Sequence, residues 1–193
     1  MSRTVLCALL GAAALAAASE AGASTVFSND FSAGIGPSEA LVGNFTVANG
    51  YVGHHGLYAN NEYSSYRITV DLKGMTNAVL TFDYDVQTER TFDYLQVLAN
   101  DVVLQSYSGY GAAHAQLTLD ALTDPALTGP SMISFDFHSD FADVYPGVLI
   151  DNVVVSADGP AAPVSVPEPG SWAAMVVGLG LLGLGRRRGI GQG

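Results

Sequence analysis

One stretch constrains this chain more than any other. In Val79-Leu80-Thr81-Phe82-Asp83-Tyr84-Asp85-Val86, the residues Leu80, Phe82, Tyr84 and Val86 fall on one side of an extended backbone, and Thr81, Asp83 and Asp85 on the other. Successive Cβ atoms of a strand point to opposite faces, so a strict two-residue period reads as a half-buried β-strand. The alternation recurs in Arg67–Leu72, Gln116–Leu119 and Ile133–Phe137. Asn100-Asp101 lies between the apolar runs Tyr94–Leu98 and Val102–Gln105 and has hairpin-turn chemistry. Val148–Val155 reads as a final strand, its apolar run broken by Asp151-Asn152. Nothing in residues 24–157 carries a helical period. Eight or more short strands separated by Gly, Asn, Asp and Pro predict an all-β domain, an antiparallel β-sandwich of jelly-roll type.

The two ends follow a different logic. Arg3, the uncharged run Val5–Ala18, and small residues Ala21 and Ala23 ahead of Ser24 have the three parts of a secretory signal peptide over residues 1–23. Residues 158–166 form a Pro/Ala linker in which Pro160 and Pro163 forbid a continuous helix. Residues 171–185 are uncharged and apolar and are followed at once by Arg186, Arg187 and Arg188, which reads as a short transmembrane helix with its tail on the cytoplasmic side. Fifteen residues are few for a permanent span, so a transient membrane anchor is expected.

Pro167-Glu168-Pro169, an apolar segment opening near Trp172, and the terminal arginines occur in the order of a PEP-CTERM sorting signal, which residues 167–193 resemble. The resemblance implies export by a Gram-negative-type bacterium and processing near Pro167, Glu168 and Pro169 by an exosortase. It also implies passage through an inner-membrane intermediate to the cell surface or extracellular matrix, in association with exopolysaccharide.

Between these ends, residues 24–157 form the expected sandwich domain. Residues 24–166 hold 16 acids and only three bases, Arg67, Lys73 and Arg90, a formal charge of −13. That balance excludes nucleic acid as a partner, since phosphates need clustered Lys and Arg. The single cysteine, Cys7, excludes a disulfide framework and any cysteine-built metal site. The segments 27–31, 80–84, 92–97 and 149–155 are similar to strands of lectin-like and carbohydrate-binding-module sandwiches. In those domains the first and last strands often lie side by side and share a structural calcium ion. The resemblance implies such a site at Asn29, Asp30, Asp151 and Asn152, oxygen donors of the kind calcium takes.

Glycan contacts are expected from ring-bearing residues set in Gly-rich loops: Tyr51, His54, Tyr107 and Tyr110. No HExxH, GxSxG elbow or phosphate loop is present, and no residue is expected to be catalytic. The leading expectation is a non-enzymatic, exported matrix protein. A calcium-dependent carbohydrate-binding module and a small glycan hydrolase stand beside it, the latter without any pair of acids singled out by the sequence.

Overall fold

The computed structural model describes residues 22–159. Residues 1–21 of the expected signal peptide, the linker from Pro160 onward, the transmembrane helix and the sorting motif lie outside the described residues, whereas Ala23 already belongs to the first strand and Asp158 to the last.

Among the described residues, eleven strands form two antiparallel sheets. They are β1 (Ala23–Asn29), β2 (Glu39–Val42), β3 (Thr46–Ala48), β4 (Tyr51–Gly53), β5 (Tyr63–Val70), β6 (Thr76–Gln87), β7 (Tyr94–Ala99), β8 (Val102–Tyr107), β9 (Tyr110–Thr118), β10 (Ser131–His138) and β11 (Gly147–Asp158). The first sheet runs β3-β4-β11-β6-β9, with β1 also paired to β11; the second runs β2-β5-β10-β7-β8. From β4 to β11 the chain crosses repeatedly between the sheets, so neighbours within each sheet are mostly distant in sequence.

The period-two pattern sets which faces meet. Leu80, Phe82 and Val86 of β6 are buried, as are Ile133, Phe135 and Phe137 of β10 and Val148, Ile150, Val153 and Val155 of β11. An aromatic contact keys the layers together, Phe82 of β6 meeting Phe135 of β10 edge-on at 4.9 Å between ring centroids; within the second sheet Phe135 stacks on its register partner Tyr66 at 5.8 Å. Among the described residues the core runs from Phe31 to Ala157, so the segment has a hydrophobic core of its own. A segment with its own hydrophobic core can fold as an independent domain.

One expectation about local structure is corrected. Tyr107 and Tyr110 end β8 and begin β9, and Tyr51 lies in β4, so none of the three is a loop residue. The chain crosses directly between sheets at Ser108-Gly109, where Gly109 takes φ +83° and allows the strands to extend to the tyrosines themselves. At Asn100-Asp101 both residues take positive φ, 45° and 65°, as a tight hairpin requires. The break at Asp151-Asn152 is a bulge: the pairing of β11 with β6 shifts between Asp151 and Val154, and Asn152 takes φ 49°.

The register also fixes the two poles of the sandwich. Gln87 pairs with Gly147 and Tyr110, and His138 pairs with Tyr63 and Tyr94. Loops 54–62, 88–93, 108–109 and 139–146 therefore gather at one pole. Ala23 pairs with Asp158, so the chain enters and leaves side by side at the other.

Candidate functional site

The outer face of the first sheet carries a groove. Outward side chains of β6 and β11 meet there because Asp83 stands directly opposite Asp151 across the strand pair. Tyr51, Asp83, Tyr84, Asp85, Leu149, Asp151 and Asn152 line an open depression of about 510 Å³. Like charges placed opposite one another on a sheet are destabilising. The fold relieves this most directly at Asp83, where the Asn152 amide donates a hydrogen bond at 2.7 Å and His114 Nδ1 lies 2.7 Å away. These contacts, Asn152 first and then His114, hold the Asp83 carboxyl below its ordinary value. Asp85 accepts from Gln87 at 3.1 Å, and Asp151 from the backbone N–H of Asn152 at 2.6 Å. The floor is thus a row of carboxyl acceptors beside the half-exposed ring of Tyr51. Acceptors next to an aromatic face suit a ligand rich in hydroxyl donors and C–H surface.

A second cluster sits at the loop pole. Carboxylate oxygens of Glu89, Asp93 and Asp140 lie within 4.8 Å of one another, a spacing at which they can hold a cation. Asp93 is fully buried; it accepts from the Tyr58 hydroxyl and, at 2.7 Å, from the backbone N–H of Asp140. Glu89 Oε2 is shut off from solvent and has no hydrogen-bond partner among the described residues. A buried carboxylate oxygen without a partner is costly. Burial, and then the charges of Asp140, Asp143 and Asp93, hold the Glu89 carboxyl above its ordinary value.

The residues expected to bind calcium are brought only partly together. Asn29 ends β1 opposite Val153 of β11 and, with Ser28, Asp30, Asn152 and Val154, lines a shallow hollow of about 260 Å³. Asp151 faces the neighbouring groove. The Asn29 amide donates to Gly34 O at 3.0 Å and Glu39 Oε1 at 2.7 Å, while its oxygen accepts from the Phe31 N–H at 2.7 Å. Asp30 accepts from the backbone and hydroxyl of Ser32, which lower its carboxyl.

The four residues expected to contact glycan are scattered. Tyr51 lines the groove, and Tyr107 packs its ring on Tyr84 at 4.4 Å on the core side. Tyr110 is exposed at the loop pole, edge-on to Tyr145 at 6.0 Å. His54 is buried, 6% exposed, among Phe45, Tyr58 and Phe137. Its Nδ1 accepts from the Val148 N–H at 3.2 Å, which leaves Nε2 to donate to Glu62 at 2.8 Å. The ring is therefore neutral: burial lowers its pKa against the raising effect of Glu62. Glu62 is ionised, since hydrogen bonds from Ser64, Ala59 and His54 outweigh the effect of burial.

The sequence left the Glu89–Asp93–Asp140 cluster unnoticed. Glu89 and Asp93 are four residues apart, but Asp140 joins them only through the pairing of His138 with Tyr94. Asp83 and Asp85 were visible as the polar side of an alternating strand; that Asp151 stands across from them depends on register alone.

No curated protein sequence matches the chain. The fold is similar to a cleaved adhesin domain of Lys-gingipain from Porphyromonas gingivalis, at 15% identity and a TM-score of 0.51, covering 69% of this chain and 99% of that one. It is also similar to a variant of a family 29 carbohydrate binding module, at 13% identity and a TM-score of 0.47, covering 75% of this chain and 98% of that one. Residues 165–188 match the PEP-CTERM protein-sorting motif. The chain thus carries an antiparallel β-sandwich ahead of a PEP-CTERM motif, which implies export, exosortase processing and sorting to the cell surface.

Proposed function

We propose that the sandwich is a non-catalytic glycan-binding module, held at the cell surface or in its exopolysaccharide by the sorting motif, and that the groove over Asp83, Asp85 and Asp151 is its binding face. The observation that carries this reading is the row of carboxylate acceptors beside Tyr51 in an open groove on the sheet's outer face. The same carboxylates, in a domain of net charge −13, repel an anionic polymer, so the ligand is a neutral polysaccharide. Tyr51 supplies the stacking ring, and the aspartates accept hydroxyl hydrogens along the chain.

The experiment is co-sedimentation of residues 22–159 with an insoluble neutral glucan and with alginate beads. Binding to the glucan that drops at least tenfold in Tyr51→Ala and in Asp85→Ala supports the reading. Retention by alginate alone, or binding indifferent to both substitutions, refutes it.

The orphaned oxygen of Glu89 favours a second element, a calcium ion at Glu89, Asp93 and Asp140. These are hard oxygen donors, as calcium requires, and the ion would supply the positive charge the cluster lacks. Its role would be to tie loops 88–93 and 139–146 together.

A further inference from the structure

Open sheet edges invite pairing with other chains, and domains blunt them with short strands, charges, proline or bulges. Most edges of this sandwich are blunted in one of these ways. β3 has three residues, and β2 has four, including Glu39. β1 is irregular between Thr25 and Phe27, and the β7–β8 pair shifts register between Val97 and Leu98.

β9 is blunted in none of them. It has nine residues, pairs with β6 through nine consecutive partners without a shift, and contains neither proline nor a residue of fixed charge. Residues 102–119 hold no Asp, Glu, Lys or Arg in a domain otherwise crowded with acids. Gly111, Ala112, Ala113 and His114 are exposed, and the first three are small enough to let another backbone approach. Among the described residues no strand pairs with the far side of β9.

We propose that β9 is a strand-addition edge whose occupant is β9 of a second copy, antiparallel about a two-fold axis. The alternating free N–H and C=O groups of an edge are satisfied in full only by another extended strand. A two-fold antiparallel pairing is self-complementary, so one sequence serves both sides. Two copies of this strongly negative domain repel wherever their acids approach, and β9 is the long edge strand that itself carries none, its one nearby carboxylate, Asp83, being engaged by His114. The two first sheets then become one continuous sheet with both outer faces on the same side. This rests on strand chemistry alone and stands whether or not the groove binds glycan.

Sedimentation equilibrium of residues 22–159, in 20 mM and 300 mM NaCl, tests it. A monomer–dimer equilibrium is expected, tighter at high salt because the screening length shrinks. Ala113→Lys, which sets a charge on the edge, weakens it at least tenfold, and Val103→Lys on the β8 edge leaves it unchanged; thermal melts of both variants report folding. Hydrogen exchange on the wild type needs no variant: β9 amides gain protection as concentration rises, and β8 amides do not. A monomer at every concentration, a dimer indifferent to Ala113→Lys, or protection gained only outside β9 overturns the proposal.

Discussion

Replacing Glu89 by Gln should separate stability in chelator from stability in calcium. In EDTA the substitution removes a carboxylate that faces Asp93 and Asp140, so the melting temperature should hold or rise. In calcium it removes a ligand. A ligand that binds only the folded state stabilises by about 2.7 kcal/mol at 100 times its Kd, and extracellular calcium sites have Kd values of roughly 0.1–1 mM. The described domain has 138 residues. At about 2.1 cal/mol/K of unfolding entropy per residue, that stabilisation becomes a shift of about 9 °C. Wild-type residues 22–159, followed by circular dichroism, should therefore melt about 5–9 °C higher in 10 mM calcium than in EDTA, the range following the range of Kd, and Glu89→Gln should show little of this shift. Magnesium, which prefers smaller octahedral sites, should reproduce little of it. A wild type indifferent to calcium, or a Glu89→Gln protein that responds in full, would refute the calcium assignment.

Three further outcomes follow from the fold. Gly53 takes φ +143°, and a Cβ there would stand 2.0 Å from Val148 O, so Gly53→Ala should cost about 3 kcal/mol or more in urea unfolding; a loss below 1 kcal/mol would contradict the close approach of β4 to β11. Phe135→Ala, which empties a fully buried ring site against Phe82 and Tyr66, should cost about 3–5 kcal/mol in the same assay, and a negligible loss would mean the layers are not joined there. The depressed pKa of buried His54 makes stability fall as pH drops below 6.5, because the unfolded chain then takes up a proton that the folded one resists; the depressed Glu62 extends the loss below 4.5. The slope of unfolding free energy between pH 7 and 5.5 should flatten in His54→Gln, and equal slopes in the two proteins would exclude His54 as its source.

The layers of this domain were legible because burial imprints directly on a two-residue period: Leu80, Phe82 and Val86 alternate with Asp83 and Asp85 in sequence as they do in space. Turn chemistry was equally local, and Asn100-Asp101 announced its hairpin. Sites were harder to read because they depend on register between distant strands. Asp151 reaches Asp83 from 68 positions away, and Asp140 reaches Asp93 through the alignment of β10 with β7. His54 misled for another reason: a histidine beside glycines resembles a surface residue until a buried partner such as Glu62, eight residues on, satisfies its second nitrogen. Tyr107 and Tyr110 look like loop residues among the Ser and Gly of 106–111, yet one serine and one glycine suffice to cross between the sheets.

β11 leads from the loop pole to the point where the chain leaves the sandwich at Asp158. Its 12 residues span about 40 Å. A tug on the C-terminal segment, resisted by anything gripped at the loops, runs lengthwise along this strand. It shears β11 against β6 on one side and against β4 and β1 on the other. Shear loads the hydrogen bonds of both flanks together, whereas peeling from an end would break them one at a time. The strand that carries half of the groove is thus also the domain's tension member, and flow or shaking would meet its greatest mechanical resistance along that axis.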